Sequence, residues 1–307
     1  MSPETVELLL SERFRSGLVI GAIAAAGGGV LGVWWRIRRA TPVPAAGFLI
    51  TATGYLALQG LVSPGDGLWQ GLLLLLFGGT LQPRDRRTLR DIAWVFTAAG
   101  GWLMLEATPV SDSHWVRWFG LLAIMVASPA VAAADRFLAD AALGPLLFGA
   151  SVVGVFFAVP DTEGALMLMG VSLPIALIGW PIRLASLGSP GAYGSVGVLV
   201  WVMVTGGYGR PESLVGAALC LGVLLLLPLA WLMDGREALT PRRPLGLGRV
   251  LSLVATHVVL VGSASRVVAA PRSPISVAGA ALLLTLFGLG LWKWASARRW
   301  FESEATN

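Results

Sequence analysis

Lysine and cysteine are nearly absent from this 307-residue chain: Lys293 is the one lysine among 22 basic residues, and Cys220 is the single cysteine. A chain whose one lysine follows "LGLGLW" has no GxxxxGK[ST] phosphate loop, so it is not itself a P-loop ATPase. One cysteine excludes internal disulfides, CxxC redox chemistry and zinc ribbons, and Cys220 reads as a small buried apolar side chain in "ALCLGVLLLL". The two histidines, His114 and His257, are too far apart for a HExxH zinc motif. Asn307 is the sole asparagine, which leaves no N-glycosylation sequon. Charge is equally scarce: 13% of residues are Asp, Glu, Lys or Arg, against roughly 25% in a soluble domain. No inter-run segment is long enough for a soluble catalytic domain, and neither a cofactor nor a metal is expected.

The net charge of +5 and pI near 10.3 do not indicate nucleic acid, because the basic residues fall in short clusters between apolar runs. Those runs dominate the chain. Apolar residues make up 56% of it and the mean hydropathy is +0.76. A bilayer core of about 30 Å takes about 20 apolar residues per helix. Eleven runs qualify: 17–35, 43–61, 67–82, 92–108, 115–134, 140–159, 162–180, 191–209, 213–233, 247–268 and 274–294. They lack the alternation of barrel strands, so helix is the expected conformation. The third run is short and the fourth glycine-rich, which keeps a count of ten in play. The breaks carry turn chemistry, as in "SPGDG", "PDTEG" and "GSPGAYG".

Arginine placement orients the bundle. With the N-terminus outside, the segments "RIRR", "QPRDRRTLRD", "DRFLAD", "PIRLASLGSPG", "DGREALTPRRPLGLGR" and "KWASARRW" face the cytoplasm. They and the tail hold 16 of the 22 basic residues with eight acids, leaving six basic residues and nine acids outside. That asymmetry is the positive-inside signal, and it predicts N-out, C-in. Most tryptophans fall near run ends, where an indole is half wet, whereas Trp201 falls mid-run and reads as a packing residue. Ser2, ahead of Pro3 and Glu4, reads as a helix N-cap. Residues 1–307 are expected to form one all-α, multi-span membrane domain. Within it, 1–16 is a short external amphipathic segment and 295–307 a cytoplasmic tail.

The runs are not inert. Pro129, Pro174 and Pro228 each remove one helix hydrogen bond, freeing the carbonyls of Met125, Gly170 and Leu224, and are hinge candidates. Thr51, Tyr55 and Gln59 share a helix face at i, i+4, i+8. Ser252, Thr256 and Ser263 form a second stripe, between Arg249 and Arg266. Such stripes line a wet cavity, or else spend their hydroxyls on their own i−4 carbonyls and join helices. His257 lies beside the second stripe, about 12–14 Å from either arginine, at the depth of the bilayer midplane. It is either a helix-joining hydrogen bonder or a cavity residue. Arg236, Arg242, Arg243 and Arg249 form a candidate anionic-lipid patch, which could equally serve only to enforce topology. The outer "EATPVSDSHW" reads as a solvated loop, since adjacent Ser, Asp and His do not make a catalytic triad.

The chain length and span count suit a compact drug/metabolite-type carrier, and "PESLVGAALCLGVLLLL" resembles the last hairpin of that family. The likeness covers less than a tenth of the chain, and the odd span count and N-out start depart from the family's layout. Three readings follow. The first is a small permease or lipid-handling carrier in a bacterial cytoplasmic membrane. The second is a non-catalytic membrane subunit or scaffold. A membrane-lipid transferase comes third, weakened by the lack of paired acids. Membrane lipids are expected partners, together with a membrane-protein partner or a second copy of the chain.

Overall fold

The computed structural model describes residues 11–39, 46–58, 67–81, 87–107, 114–137, 144–158 and 162–206. The secondary structure there is all-α: α1 (Glu12–Arg39), α2 (Ala46–Leu58), α3 (Leu68–Leu81), α4 (Arg87–Glu106), α5 (His114–Phe137), α6 (Gly144–Ala158), α7 (Glu163–Gly179) and α8 (Gly188–Gly206). Each falls on one of the first eight apolar runs. The runs 213–233, 247–268 and 274–294 lie outside the described residues.

Local chemistry sets the ends. Ser11 caps α1, its Oγ accepting the Phe14 N–H at 3.3 Å and its carbonyl the Arg15 N–H at 3.1 Å. Glu12 in the first turn and the arginines of the last turn suit the helix dipole. The helix is continuous from Glu12, so residues 12–16 are part of α1. Ser2 lies outside the described residues. Gly67 takes a positive φ of 75° immediately before α3, and Gly188 one of 67° at the start of α8. α7 ends at Trp180, which turns extended while its N–H donates to the Ala176 carbonyl.

The core centres on α8. It packs most extensively against α5, α2 and α3, and also touches α4, α6 and α7. Every residue from Gly191 to Val204 is buried. Around it, α1 packs on α7, α3 on α4 and α6 on α7. Glycine sets the spacing at these seams. A Cβ on Gly47 of α2 or on Gly191 of α8 would land on the backbone of the facing helix, so here backbone meets backbone. Gly17, Gly21 and Gly170 do the same between α1 and α7, as do Gly71 and Gly100 between α3 and α4.

The interior is mainly apolar but also holds hydroxyls and one carboxylate. Thr51, Thr53, Thr97, Ser128, Asp135, Ser151, Ser172 and Ser195 are all buried. Large apolar side chains stand on the outside, among them Ile23, Leu31, Trp34, Phe77, Val95, Leu122 and Leu177. Among the described residues, α1 is the one helix long and apolar enough to cross a membrane by length and composition, and α3, α7 and parts of α5 and α6 are shorter apolar helices.

Candidate functional site

Two features of the described region combine unusual burial with polar chemistry. The first is Asp135, near the end of α5. Its side chain is 3% exposed, in a region where most polar side chains are hydroxyls. The carboxylate accepts two consecutive backbone N–H groups at the start of α8: Leu187 donates to Oδ1 at 3.2 Å and Gly188 to Oδ2 at 2.7 Å. It therefore satisfies two of the donors that a helix start leaves unpaired, and it sits at the positive end of the α8 dipole. Gly144, the first residue of α6, presses against the same carboxylate so closely that a Cβ there would collide with Oδ1. One acid thus joins the end of α5 to the starts of α6 and α8. The sequence places it in the segment "DRFLAD", where it reads as a loop acid. Its distinguishing signal was weak: an acid directly following a long apolar run, with no span-length gap behind it.

The second feature is the α8 core. Ser128 Oγ, Ser195 Oγ and Trp201 Nε1 are fully buried and have no hydrogen-bond partner among the described residues. Asp135 lies at the start of α8, and Gly120 faces the Val204 side chain near its other end. That antiparallel register puts Ser128 of α5 and Ser195 of α8 at about the same level. Other hydroxyls are already engaged. Thr97 donates to Ala93 O at 2.7 Å, Ser151 to Leu147 O at 3.1 Å and Ser172 to Met169 O at 3.1 Å.

Of the stripe Thr51–Tyr55–Gln59, Thr51 is 1% exposed, and its hydroxyl donates to Gly47 O at 2.8 Å. Its side chain lies against Gly194 of α8, in the α2–α8 seam. Tyr55 is on α2, and Gln59 lies outside the described residues. Pro129 is inside α5 and Pro174 inside α7, both half-buried. Pro228, the Ser252–Thr256–Ser263 stripe, His257 and the patch Arg236, Arg242, Arg243 and Arg249 lie outside the described residues. Trp201 is 1% exposed, consistent with a packing residue. Among the described residues no cluster of three His, Cys, Asp or Glu could hold a metal ion.

A third element is the arginine-bearing end of α1. The connection 180–187 crosses it, with Leu184 against Gly32 and Arg36 Nη1 donating to Ile182 O at 3.4 Å. Arg183 in this connection has a positive φ of 59°. On the other side of the helix the Arg38 guanidinium lies 4.3 Å from the centroid of the Trp34 ring.

Comparison with known proteins supplies no assignment: no family model matches the chain, and no curated protein matches it.

Proposed function

We propose that the protein is a multi-span helix bundle of the bacterial cytoplasmic membrane, about eleven spans in all, acting as a small permease or lipid-handling carrier. The observation that carries this reading is the apolar exterior of the bundle. Large apolar side chains stand on the outer faces of α1, α3, α4, α5 and α7, while hydroxyls and one carboxylate are inside. In water such an exterior drives aggregation; in lipid it is at home, and internal polar groups are then the ones that mark function. The unpartnered Ser128 and Ser195 hydroxyls on α5 and α8 support a polar internal contact for a carried molecule. The arginine asymmetry supports N-out, C-in.

A second reading, a non-catalytic membrane subunit or scaffold, is favoured by the glycine seams. Backbone-to-backbone packing at Gly47–Gly191 and Gly71–Gly100 leaves little freedom to rock. Gentle detergent purification followed by native mass spectrometry separates the two. A retained small molecule or lipid supports the carrier, and a stoichiometric protein partner replaces it with the scaffold. A cysteine at Arg242, in a Cys220-free background, that is labelled by impermeant reagent on intact cells overturns the orientation.

A further inference from the structure

We propose that the outward stripe of α1 seats an anionic phospholipid, its acyl chain along Gly27–Trp34 and its phosphate on Arg38 above Trp34; this rests on the membrane reading. Val19, Ile23, Gly27, Val30, Leu31, Trp34, Ile37 and Arg38 fall within about 120° of one another at about 100° per residue. Its apolar members are exposed, with Ile23 at 69%, Val30 at 72% and Ile37 at 81%. The orientation of the stripe is fixed from behind, because Gly21 and Gly32 on the opposite side are pressed against Val171 and Leu184. From Val19 to Ile37 the stripe is about 27 Å long, close to the thickness of a bilayer's hydrocarbon core.

The Arg38 end gives the stripe its selectivity. Stacking 4.3 Å over Trp34 holds the guanidinium at the end of the apolar stripe, and an arginine edge donates paired N–H groups to phosphate oxygens. The described acids are elsewhere. Glu12 and Glu163 are at the other end of α1, where Glu163 meets Arg13 at 3.5 Å. Asp91 and Glu106 are on α4, and Asp135 holds the start of α8. Arg36 adds a second positive charge at the same depth, on the side facing Ile182. Midway along the stripe, a Cβ added to Gly27 would have nothing within 4 Å, so the glycine leaves a notch between Ile23 and Leu31. A second copy of the chain fits less well. A two-fold axis along the membrane normal would bring Arg38 against its own symmetry mate, like charge on like charge.

The test uses the full chain in mild detergent, with phosphatidylglycerol or phosphatidylcholine added and bound lipid counted by native mass spectrometry. The parent should retain phosphatidylglycerol over phosphatidylcholine. Arg38→Gln should weaken phosphatidylglycerol retention roughly tenfold and leave phosphatidylcholine unchanged. Arg15→Gln, at the far end of the same helix, should change neither. Gly27→Leu fills the notch without touching a charge and should lower retention of the same lipid, which gives a second readout if Arg38→Gln expresses poorly. Equal retention of the two lipids by the parent, or undiminished phosphatidylglycerol on Arg38→Gln, overturns the seat, as does a dimer that Gly27→Leu dissociates. Alkaline carbonate extraction of cell membranes keeps the two levels apart. Release of the parent chain by carbonate sinks the membrane reading itself, whereas a chain that stays in the pellet and fails the lipid arms loses only the seat.

Discussion

Helices α8 and α1 are built from similar apolar, glycine-rich sequence, yet they occupy opposite environments. α8 is surrounded by six other helices, and its glycines meet backbone at Gly191 and side chains at Gly194 and Gly197. α1 uses its glycines on one side only, at Gly17, Gly21, Gly28 and Gly32, and leaves Gly27 and Gly29 with nothing near them. The same residue type therefore has two energetic meanings. In a seam, glycine removes the Cβ that would keep two backbones apart. On an open face it separates no backbones and lowers helix propensity by about 1 kcal/mol relative to alanine.

The sharpest way to break that comparison is a paired substitution. Gly47→Val or Gly191→Val puts a branched side chain into a backbone contact that cannot yield. Each should cost about 3 kcal/mol or more, seen as loss of the monodisperse peak in a detergent thermal-stability assay. Gly27→Val on the open face should melt within a few degrees of the parent. If both sites respond alike, the division between seam and open face is wrong.

Asp135 comes next in size. Asp135→Ala leaves the Leu187 and Gly188 N–H groups without their acceptor, and should destabilise the chain by about 2–3 kcal/mol. Hydrogen exchange should quicken first at those two amides. Asp135→Asn keeps one acceptor oxygen and should lose less; an equal loss would point to the charge and not the geometry.

A smaller effect is expected at Thr51. Thr51→Val removes a hydroxyl that bonds Gly47 O, within its own helix, and should change stability by about 1 kcal/mol or less. Loss of a retained ligand in that variant, with the melting temperature intact, would return Thr51 to the cavity. The smallest expected change is at Pro174. Pro174→Ala restores one helix hydrogen bond, to the Gly170 carbonyl, and in a static bundle should be silent or slightly stabilising. Slowed exchange around Gly170 together with altered accessibility would mark a hinge.

Much of the described architecture was legible in advance, because long apolar runs broken by Gly, Pro and charge leave helix as the favoured conformation. The short run 67–82 and the glycine-rich run 92–108 both form helices, α3 and α4. Helix ends were harder to place. α1 begins at Glu12 because Ser11 supplies a cap hydrogen bond there, and a cap is a local contact that several serines could offer. Thr51, a cavity candidate from its spacing, is buried with its hydroxyl on Gly47 O, and helical spacing alone does not say where a hydroxyl points. Asp135 does not stand out in the sequence, because an acid after an apolar run ordinarily marks a loop.

What the sequence determined by itself is the all-α class of the described residues and the scarcity of charge, since these follow from local propensity and composition. Tertiary structure alone decided which helix became the centre and which kept an open face. It also decided that a carboxylate 52 residues away would hold the start of α8. Those choices depend on which surfaces meet after the chain has folded back, and on whether the groups brought together there satisfy one another once water is excluded.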